Sequence, residues 1–141
     1  MTSTGGYNPM RWDCEDRGCW KVKCSPNIEY FAHALPRNLA FTDLDATAEV
    51  NGHFLFLEWK SHGDDIPTGQ RIFFERLTKL SANITVVIVA GDPDTMEVWK
   101  VKACKDGTFR DWQDCSLEDL FDRIKRWAER VDIRNVARKA A

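Results

Sequence analysis

The stretch from Phe41 to Ser61, FTDLDATAEVNGHFLFLEWKS, contains the turn Asn51-Gly52 between two segments that read as strands. Asn-Gly between such segments predicts a two-residue hairpin turn, because both residues accept the positive φ angles that this turn requires. We therefore predict strands at 39–50 and 53–61. A turn this short also fixes which residues of the two strands lie opposite each other.

Charged residues interrupt this otherwise apolar hairpin. In the predicted register Asp45 faces Glu58 and Asp43 faces Lys60, all on one side of the sheet because side chains alternate along a strand. Two opposed carboxylates repel each other unless a proton or a cation lies between them. Hard oxygen ligands at this spacing suit Mg²⁺. The alternative is a solvated face with ordinary cross-strand ion pairs.

The rest of the chain predicts further helices and strands in an ordered succession. A helix begins with Ser25 as N-cap and Pro26 at its first position, and it ends before Pro36. Periodicity and turn residues indicate the other elements: a helix at Gly69–Leu80 capped by Thr68, strands at 83–91 and 95–103, a short edge strand at Phe109–Trp112, and a helix at 116–134. The predicted fold is α/β, in the order α-β-β-α-β-β-α, with a mixed central sheet flanked by helices.

Length and composition suggest one domain over residues 1–141. It comprises an irregular cysteine-containing segment at 1–24, a core at 25–112 and the C-terminal amphipathic helix at 116–134. No segment approaches the roughly 18 apolar residues of a membrane helix, and the first residues lack the apolar core of a secretion signal. We therefore expect a cytoplasmic protein without a membrane partner. The net charge of −2 is not the basic balance typical of sequence-independent DNA binders.

Five cysteines without an export signal argue against a disulfide framework. Three of them, Cys14, Cys19 and Cys24, recur at five-residue intervals, and His33 follows. One interpretation is a Zn²⁺ ion bound by these four residues. The alternative is that the cysteines are free or merely structural thiols, because this spacing matches no familiar zinc pattern.

The order of the acidic and basic residues resembles a known family. Asp45 is followed thirteen residues later by Glu58-Trp59-Lys60, after a helix bearing Glu29 and before a helix that opens with Gln70. This arrangement resembles the PD-(D/E)xK nuclease superfamily, and most closely its small Holliday junction resolvases and compact phage nucleases. The resemblance runs from about residue 25 to residue 103, and Leu44 stands where the family name has proline.

The resemblance implies a role for each matching residue. Asp45, Glu58 and the backbone carbonyl of Trp59 would ligate Mg²⁺ or Mn²⁺, with no small-molecule cofactor. Lys60 would orient or help deprotonate the attacking water, and Gln70 would position the water or Lys60. Glu29 would complete the site from the first helix. Asp43 is open to two interpretations, as a metal ligand in place of Asp45 or as an ion-pair partner of Lys60.

The implied function is a Mg²⁺-dependent endonuclease that hydrolyses branched or otherwise structured DNA. Junction resolvases cut two strands symmetrically, so we expect a homodimer. One alternative is a phage nuclease for DNA ends or single strands, acting in the host cytoplasm. Another is a non-catalytic module on the same fold that binds nucleic acid or protein. The candidate DNA contacts are basic or lie near the site: His62, Arg71, Arg126 and Arg130.

Overall fold

The computed structural model describes residues 28–42, 44–62 and 65–132, with side chains from Tyr30 onward. The chain divides into two compact units, Met1–Asp43 and Leu44–Ala141.

The N-terminal unit contains a 3₁₀ helix at Ile28–Ala34. The predicted α-helix is therefore wrong in type over these residues. The backbone N–H of Leu35 donates to the carbonyl of Ala32 at 2.9 Å, which is the i to i+3 bond of a 3₁₀ turn. The segment ends two residues before Pro36, which has no backbone N–H with which to continue an α-helix.

The described residues of the second unit form six strands and two α-helices. In chain order they are β1 (Ala46–Val50), β2 (His53–Lys60), α1 (Thr68–Lys79), β3 (Ile84–Asp92), β4 (Glu97–Lys105), β5 (Thr108–Phe109), β6 (Gln113–Asp114) and α2 (Leu117–Val131). The strands form one sheet in the order β1-β2-β3-β4-β5, and β6 pairs with β4. Strands β2 and β3 are parallel and joined through α1, whereas the other pairs are antiparallel. The predicted α/β class with a mixed sheet is confirmed.

The β1–β2 hairpin has the predicted turn and register. Asn51 and Gly52 have φ angles of 52° and 79°, and Val50 pairs with His53. The first strand is nevertheless shorter than predicted, because β1 begins at Ala46 and not at residue 39. The Asp45 carboxylate accepts the Trp59 backbone N–H at 2.7 Å, at the point where the next ladder bond would form. A side chain thus replaces the backbone partner, and strand pairing stops.

The two faces of the sheet carry separate apolar clusters. On one face Phe74 of α1 packs against Val86, Ile88 and Cys104, and all four are fully buried. On the other face Leu120 of α2 belongs to a cluster with residues of β3 and β4. Because side chains alternate along each strand, successive positions of β2, β3 and β4 face opposite helix layers. The face beneath α1 is the one that carries Glu58.

The helix ends partly follow the predictions. Ser116 and Asp119 form the capping box predicted for α2, with the Asp119 N–H donating to the Ser116 hydroxyl at 3.1 Å. For α1 the predicted Thr68 cap is wrong, because Thr68 is already helical and Pro67 occupies the N-cap without a side-chain bond.

The predicted edge strand at Phe109–Trp112 is also wrong in extent, since two short strands flank residues 110–112 instead. Phe109 pairs with Cys104, and then Trp112 packs into the α1-side core. No helix in the described ranges is long and apolar enough to span a membrane.

Candidate functional site

The candidate site lies at the end of β2, on the sheet face covered by α1. Ala46 pairs with Leu57, so the same register places Asp45, the residue before β1, opposite Glu58. Glu58 and Lys60 both occupy β2 and share a face because they are two residues apart. The predicted juxtaposition of Asp45, Glu58 and Lys60 is therefore present in the structure.

Glu58 is buried, with 6% of its surface exposed. Its Oε2 atom has no hydrogen-bond partner among the described residues. Buried carboxylate oxygens are nearly always hydrogen-bonded, and an unpartnered one is unfavourable because it has lost its hydration. A polar group held in this way indicates a position at which a ligand, a water or an ion completes the coordination.

The surroundings of Glu58 raise its pKa above the ordinary value of 4.5. Burial is the main cause, and the negative charge of Asp45 adds to it. A hydrogen bond from the Gln70 side chain, the positive charge of Lys60 and a bond from the Asp45 backbone act in the opposite direction and lower the pKa. Glu58 thus interacts with all three of the other predicted catalytic residues of this unit.

Gln70 reaches this site because α1 packs on the same sheet face. It lies in the first turn of α1, and Phe74, four residues further on, is fully buried against β3. Residues four apart on a helix share a face, so the burial of Phe74 directs Gln70 towards the sheet. The Gln70 Oε1 atom is itself buried and lacks a hydrogen-bond partner within the described part of the chain. Two unpartnered oxygens, from Glu58 and Gln70, therefore belong to one site.

Trp59 contributes its backbone to the site and its ring to the opposite face. In an extended strand the N–H and C=O of one residue point to the same edge, so the carbonyl of Trp59 faces β1 as its N–H does. The indole Nε1 donates to the carbonyl of Gly91 at 3.1 Å. A side chain at Gly91 would collide with the carbonyl of Glu97 and the Trp59 ring, so glycine permits this close packing.

The oxygen atoms of this site provide some of the ligands that a hard divalent cation requires. Asp45 and Glu58 offer carboxylate oxygens, and the Trp59 carbonyl lies at the same strand edge. The buried, unpartnered Oε2 of Glu58 is the observation that favours a cation there, because Mg²⁺ prefers oxygen ligands. No group of three or more His, Cys, Asp or Glu residues that could hold a metal occurs among the described residues. The cation would therefore depend on these two carboxylates with backbone and water oxygens.

Several predicted residues fall outside what the structure describes. Asp43, Cys14, Cys19 and Cys24 lie in undescribed positions, and the Glu29 side chain is also undescribed. His33 is exposed, with its ring edge-on to Tyr30 at 6.0 Å between centroids. The prediction of a zinc site and the predicted roles of Asp43 and Glu29 therefore remain predictions.

Cys104 and Cys115 are free thiols and are buried, as expected for packing residues.

The predicted DNA contacts occupy different environments. His62 is exposed just after β2. Arg71 is half-buried beside Glu75, with 3.6 Å between its Nε and the carboxylate, and Arg126 pairs with Asp122 at 3.1 Å. Arg130 is exposed and lines a groove of about 330 Å³ on the α2 face. Of the four, only His62 lies within two residues of the end of β2, the strand that carries Glu58 and Lys60.

Sequence reasoning missed two lysines on the same face. Lys102 pairs directly with Ile88 and Lys100 with Ala90, so both project on the Glu58 side of the sheet. Lys102 is only 7% exposed, and its Nζ donates to both carboxylate oxygens of Asp65 at 3.2 Å. The alternation K-V-K in β4 was the available signal, because two lysines two residues apart share one face of a strand.

The site is thus a buried glutamate surrounded by an aspartate, an amide and a lysine at a sheet edge. Comparison of the chain with protein-family models, curated protein sequences and solved structures finds no match.

Proposed function

We propose that this protein is a metal-dependent nuclease that hydrolyses phosphodiester bonds in DNA, with a restriction-endonuclease-like core of the PD-(D/E)xK type. The observation that carries the proposal is the buried Glu58 carboxylate, whose neighbours are Asp45, Lys60 and Gln70. These are the residue types that the implied chemistry requires. The mixed sheet with a hairpin, a helix and a parallel strand is compatible with that core.

Asp45, Glu58 and the Trp59 carbonyl would hold the ion. A bound Mg²⁺ or Mn²⁺ supplies a water of lowered pKa and neutralises charge on the phosphate. Asp45 is already oriented by the Trp59 N–H bond, so its second oxygen can bind without further ordering of the side chain. Glu58 is oriented by Gln70 and by the Asp45 backbone.

Lys60 and Gln70 would act on the attacking water and the phosphate. The Lys60 ammonium group places a positive charge near Glu58, where it could stabilise the negative charge that increases during hydrolysis. The Gln70 side chain acts to lower the pKa of Glu58, and its own buried Oε1 has no partner among the described residues and so can accept a hydrogen bond from a water. Together the two side chains would hold and orient the water.

Branched or structured DNA, cut by a homodimer, is the substrate that the resemblance favours. DNA ends or single strands are the second candidate, and a non-catalytic binding module is the third. The buried Glu58 carboxylate, with its unpartnered Oε2, favours an active site over the binding module, because a purely structural role gives no reason to keep this arrangement.

A cleavage assay tests the proposal. Junction, flap, single-stranded and linear duplex DNA would be incubated with Mg²⁺, Mn²⁺ or EDTA. Lys60→Ala and Asp45→Asn are expected to lower cleavage by about 10²-fold or more. Asp45→Asn is the sharper variant, because an amide oxygen keeps the acceptor for Trp59 N–H while removing the charge. Arg76→Ala is the matched control, since Arg76 is exposed in the last turn of α1, away from Gln70 in the first turn, and is not among the predicted DNA contacts.

The pattern of cleavage separates the three candidates. Preference for the junction, together with a dimeric mass in light scattering, supports the resolvase-like function. Equal cleavage of all forms, or a monomer, supports the alternative nuclease. Absence of metal-dependent cleavage on every substrate would reject the nuclease proposal.

A further inference from the structure

Lys60 and Lys100 lie in one row across the sheet, on the face that carries Glu58. Lys60 pairs with Ala90 on β3, and Ala90 pairs with Lys100 on β4. Neighbouring strands are about 4.8 Å apart, so two strand spacings separate the backbones of the two lysines by about 10 Å. Between them Ala90 contributes only a methyl group, so no other charge lies in this row from β2 to β4.

A β-bulge lies immediately before Lys100. Gly91 pairs with Val98 and Ala90 with Lys100, so Trp99 is an extra residue on β4. Its carbonyl accepts the backbone N–H of Cys115 at 3.2 Å, which fixes the bulge to the segment preceding α2. Bulges change the direction of the next side chain and often occur beside functional sites. Here the bulge lies directly beside Lys100.

Lys100 has an aromatic neighbour but no ion-pair partner in the described part of the chain. Its Nζ lies 4.5 Å from the centroid of the Trp112 ring. Asp114 pairs with Lys100 in the backbone register, yet no ion pair within 4.0 Å links these two residues. The ring holds the ammonium group by a cation–π interaction without neutralising its charge.

Lys102 provides the contrast on the same strand. It is buried, and the Asp65 carboxylate accepts two hydrogen bonds from it. Its charge is therefore already balanced within the fold. Lys100 is half-buried and has kept its charge available to a ligand.

We propose that Lys100, held on the Trp112 ring, binds a phosphate of the substrate other than the one that is cleaved. This inference rests on the proposed nuclease function. A phosphate held at Asp45 and Glu58 would lie at the end of the β1–β2 hairpin, whereas Lys100 is on β4 with its ammonium group on the Trp112 ring. The same phosphate therefore does not reach both places. A substrate that uses the two positions carries at least two phosphates on one chain, which makes it a polynucleotide and not a small phosphodiester.

Two substrates of different size test the inference. A single-stranded oligonucleotide has further phosphates, whereas bis(p-nitrophenyl) phosphate has only one. Lys100→Ala is expected to raise KM for the oligonucleotide about threefold to tenfold, the range for one charge-assisted contact at a partly exposed position. It should leave kcat/KM for the small diester unchanged. Lys100→Arg should restore much of the lost affinity, because it keeps the charge.

Lys105→Ala is the matched control. Lys105 belongs to the same strand but projects to the opposite face, where it lines the groove beneath α2. The Lys105→Ala variant removes one positive charge, as Lys100→Ala does. A change in KM common to both variants would therefore reflect net charge alone. Equal loss with both variants, or equal loss on both substrates, would overturn the Lys100 inference while leaving the nuclease proposal intact.

A binding measurement separates this inference from the proposed chemistry. Anisotropy of a labelled oligonucleotide in EDTA would be followed against salt concentration. Loss of one phosphate contact lowers the slope of log Kd against log salt by about 0.7 for a single strand. If the wild-type protein cleaves neither substrate but Lys100→Ala lowers this slope, the phosphate-binding role of Lys100 is supported and the nuclease proposal is rejected. If the slope is unchanged, the phosphate site fails.

Discussion

The backbone N–H of Trp59 donates to the Asp45 carboxylate at 2.7 Å, across the open end of the β1–β2 hairpin. This one bond has two consequences. It ends the pairing of β1 with β2, because the carboxylate takes the donor that a backbone carbonyl would otherwise accept. It also holds the Asp45 carboxylate beside Glu58, whose pKa is raised by burial and, in addition, by the negative charge of Asp45. The end of the strand and the acidic site are therefore one structural feature.

Asp45→Ala and Asp45→Asn should differ in stability. Alanine leaves the Trp59 N–H without its acceptor, and we expect a loss of about 1 kcal/mol in the free energy of unfolding. Asparagine retains an oxygen acceptor, and it also removes the charge that repels Glu58, so it should be as stable as wild type or slightly more so. Urea denaturation in EDTA measures both.

Added Mg²⁺ or Mn²⁺ extends this comparison. A ligand that binds only the folded state stabilises it in proportion to the logarithm of its concentration over Kd. The melting temperature of wild type should therefore rise with the metal, whereas that of Asp45→Asn should not. An equal rise in both proteins would show that the ion binds elsewhere.

Glu58→Gln should change how stability depends on pH. The folded-state pKa of Glu58 lies above 4.5, so the folded protein retains a proton that the unfolded chain releases. The stabilisation that comes from this retained proton is fully present below pH 4.5, and it is lost as the pH rises through the folded-state pKa of Glu58. Glutamine cannot ionise and does not undergo this loss. In EDTA the variant should therefore gain stability over wild type as the pH rises above 4.5 and through the folded-state pKa of Glu58.

Denaturation curves across this pH range, without and with metal, check the prediction. Without metal the difference between the two proteins should be smallest at the acid end and largest near neutrality. With Mg²⁺ near neutral pH the order should reverse, because only wild type keeps the carboxylate ligand. Parallel stability curves for the two proteins would mean that Glu58 is not perturbed.

The Lys102–Asp65 pair should respond asymmetrically to substitution. Lys102 is buried against aromatic rings, with its Nζ 5.5 Å from the Phe109 centroid and 5.6 Å from the Trp112 centroid, whereas the Asp65 side chain is 54% exposed. Asp65→Asn leaves a buried ammonium group without its counter-charge, and we expect a loss of about 1–2 kcal/mol. Lys102→Met leaves only a solvated carboxylate and should cost less than about 1 kcal/mol.

The double variant completes the cycle for this pair. Adding Asp65→Asn to Lys102→Met should cost little more than Lys102→Met alone, because the buried charge is already absent. Chemical denaturation of the three variants gives the coupling free energy. A larger loss for Lys102→Met than for Asp65→Asn would show that packing of the lysine stem, and not its charge, dominates.

Local sequence signals predicted the hairpin and its register well. Asn51-Gly52 has few conformational options other than a two-residue turn, and the turn then specifies every pair along the two strands. The capping box at Ser116 was equally predictable, because its hydrogen bonds join residues three apart. Both features depend on contacts between residues that are close in the chain.

Other features depended on distant parts of the chain and were misjudged or missed. The strand predicted from residue 39 begins at Ala46, because a side-chain bond across the hairpin ends the ladder. Lys100 and Lys102 appeared as ordinary strand residues, since their environment is set by Trp112 and by Asp65, which is 37 residues away from Lys102. The periodicity of β4 places them on a face but does not say which groups meet them there.

The amino-acid sequence by itself determined that Asp45, Glu58 and Lys60 share one side of a tight hairpin, because a two-residue turn and the alternation of side chains leave no other arrangement. Only the tertiary structure decided that Glu58 is buried, that Gln70 approaches it from α1, and that Lys100 lies in the same row as Lys60. Burial and approach require the packing of α1 on the sheet and the pairing of β2 with β3. Those contacts join residues far apart in the chain, and no local pattern specifies them.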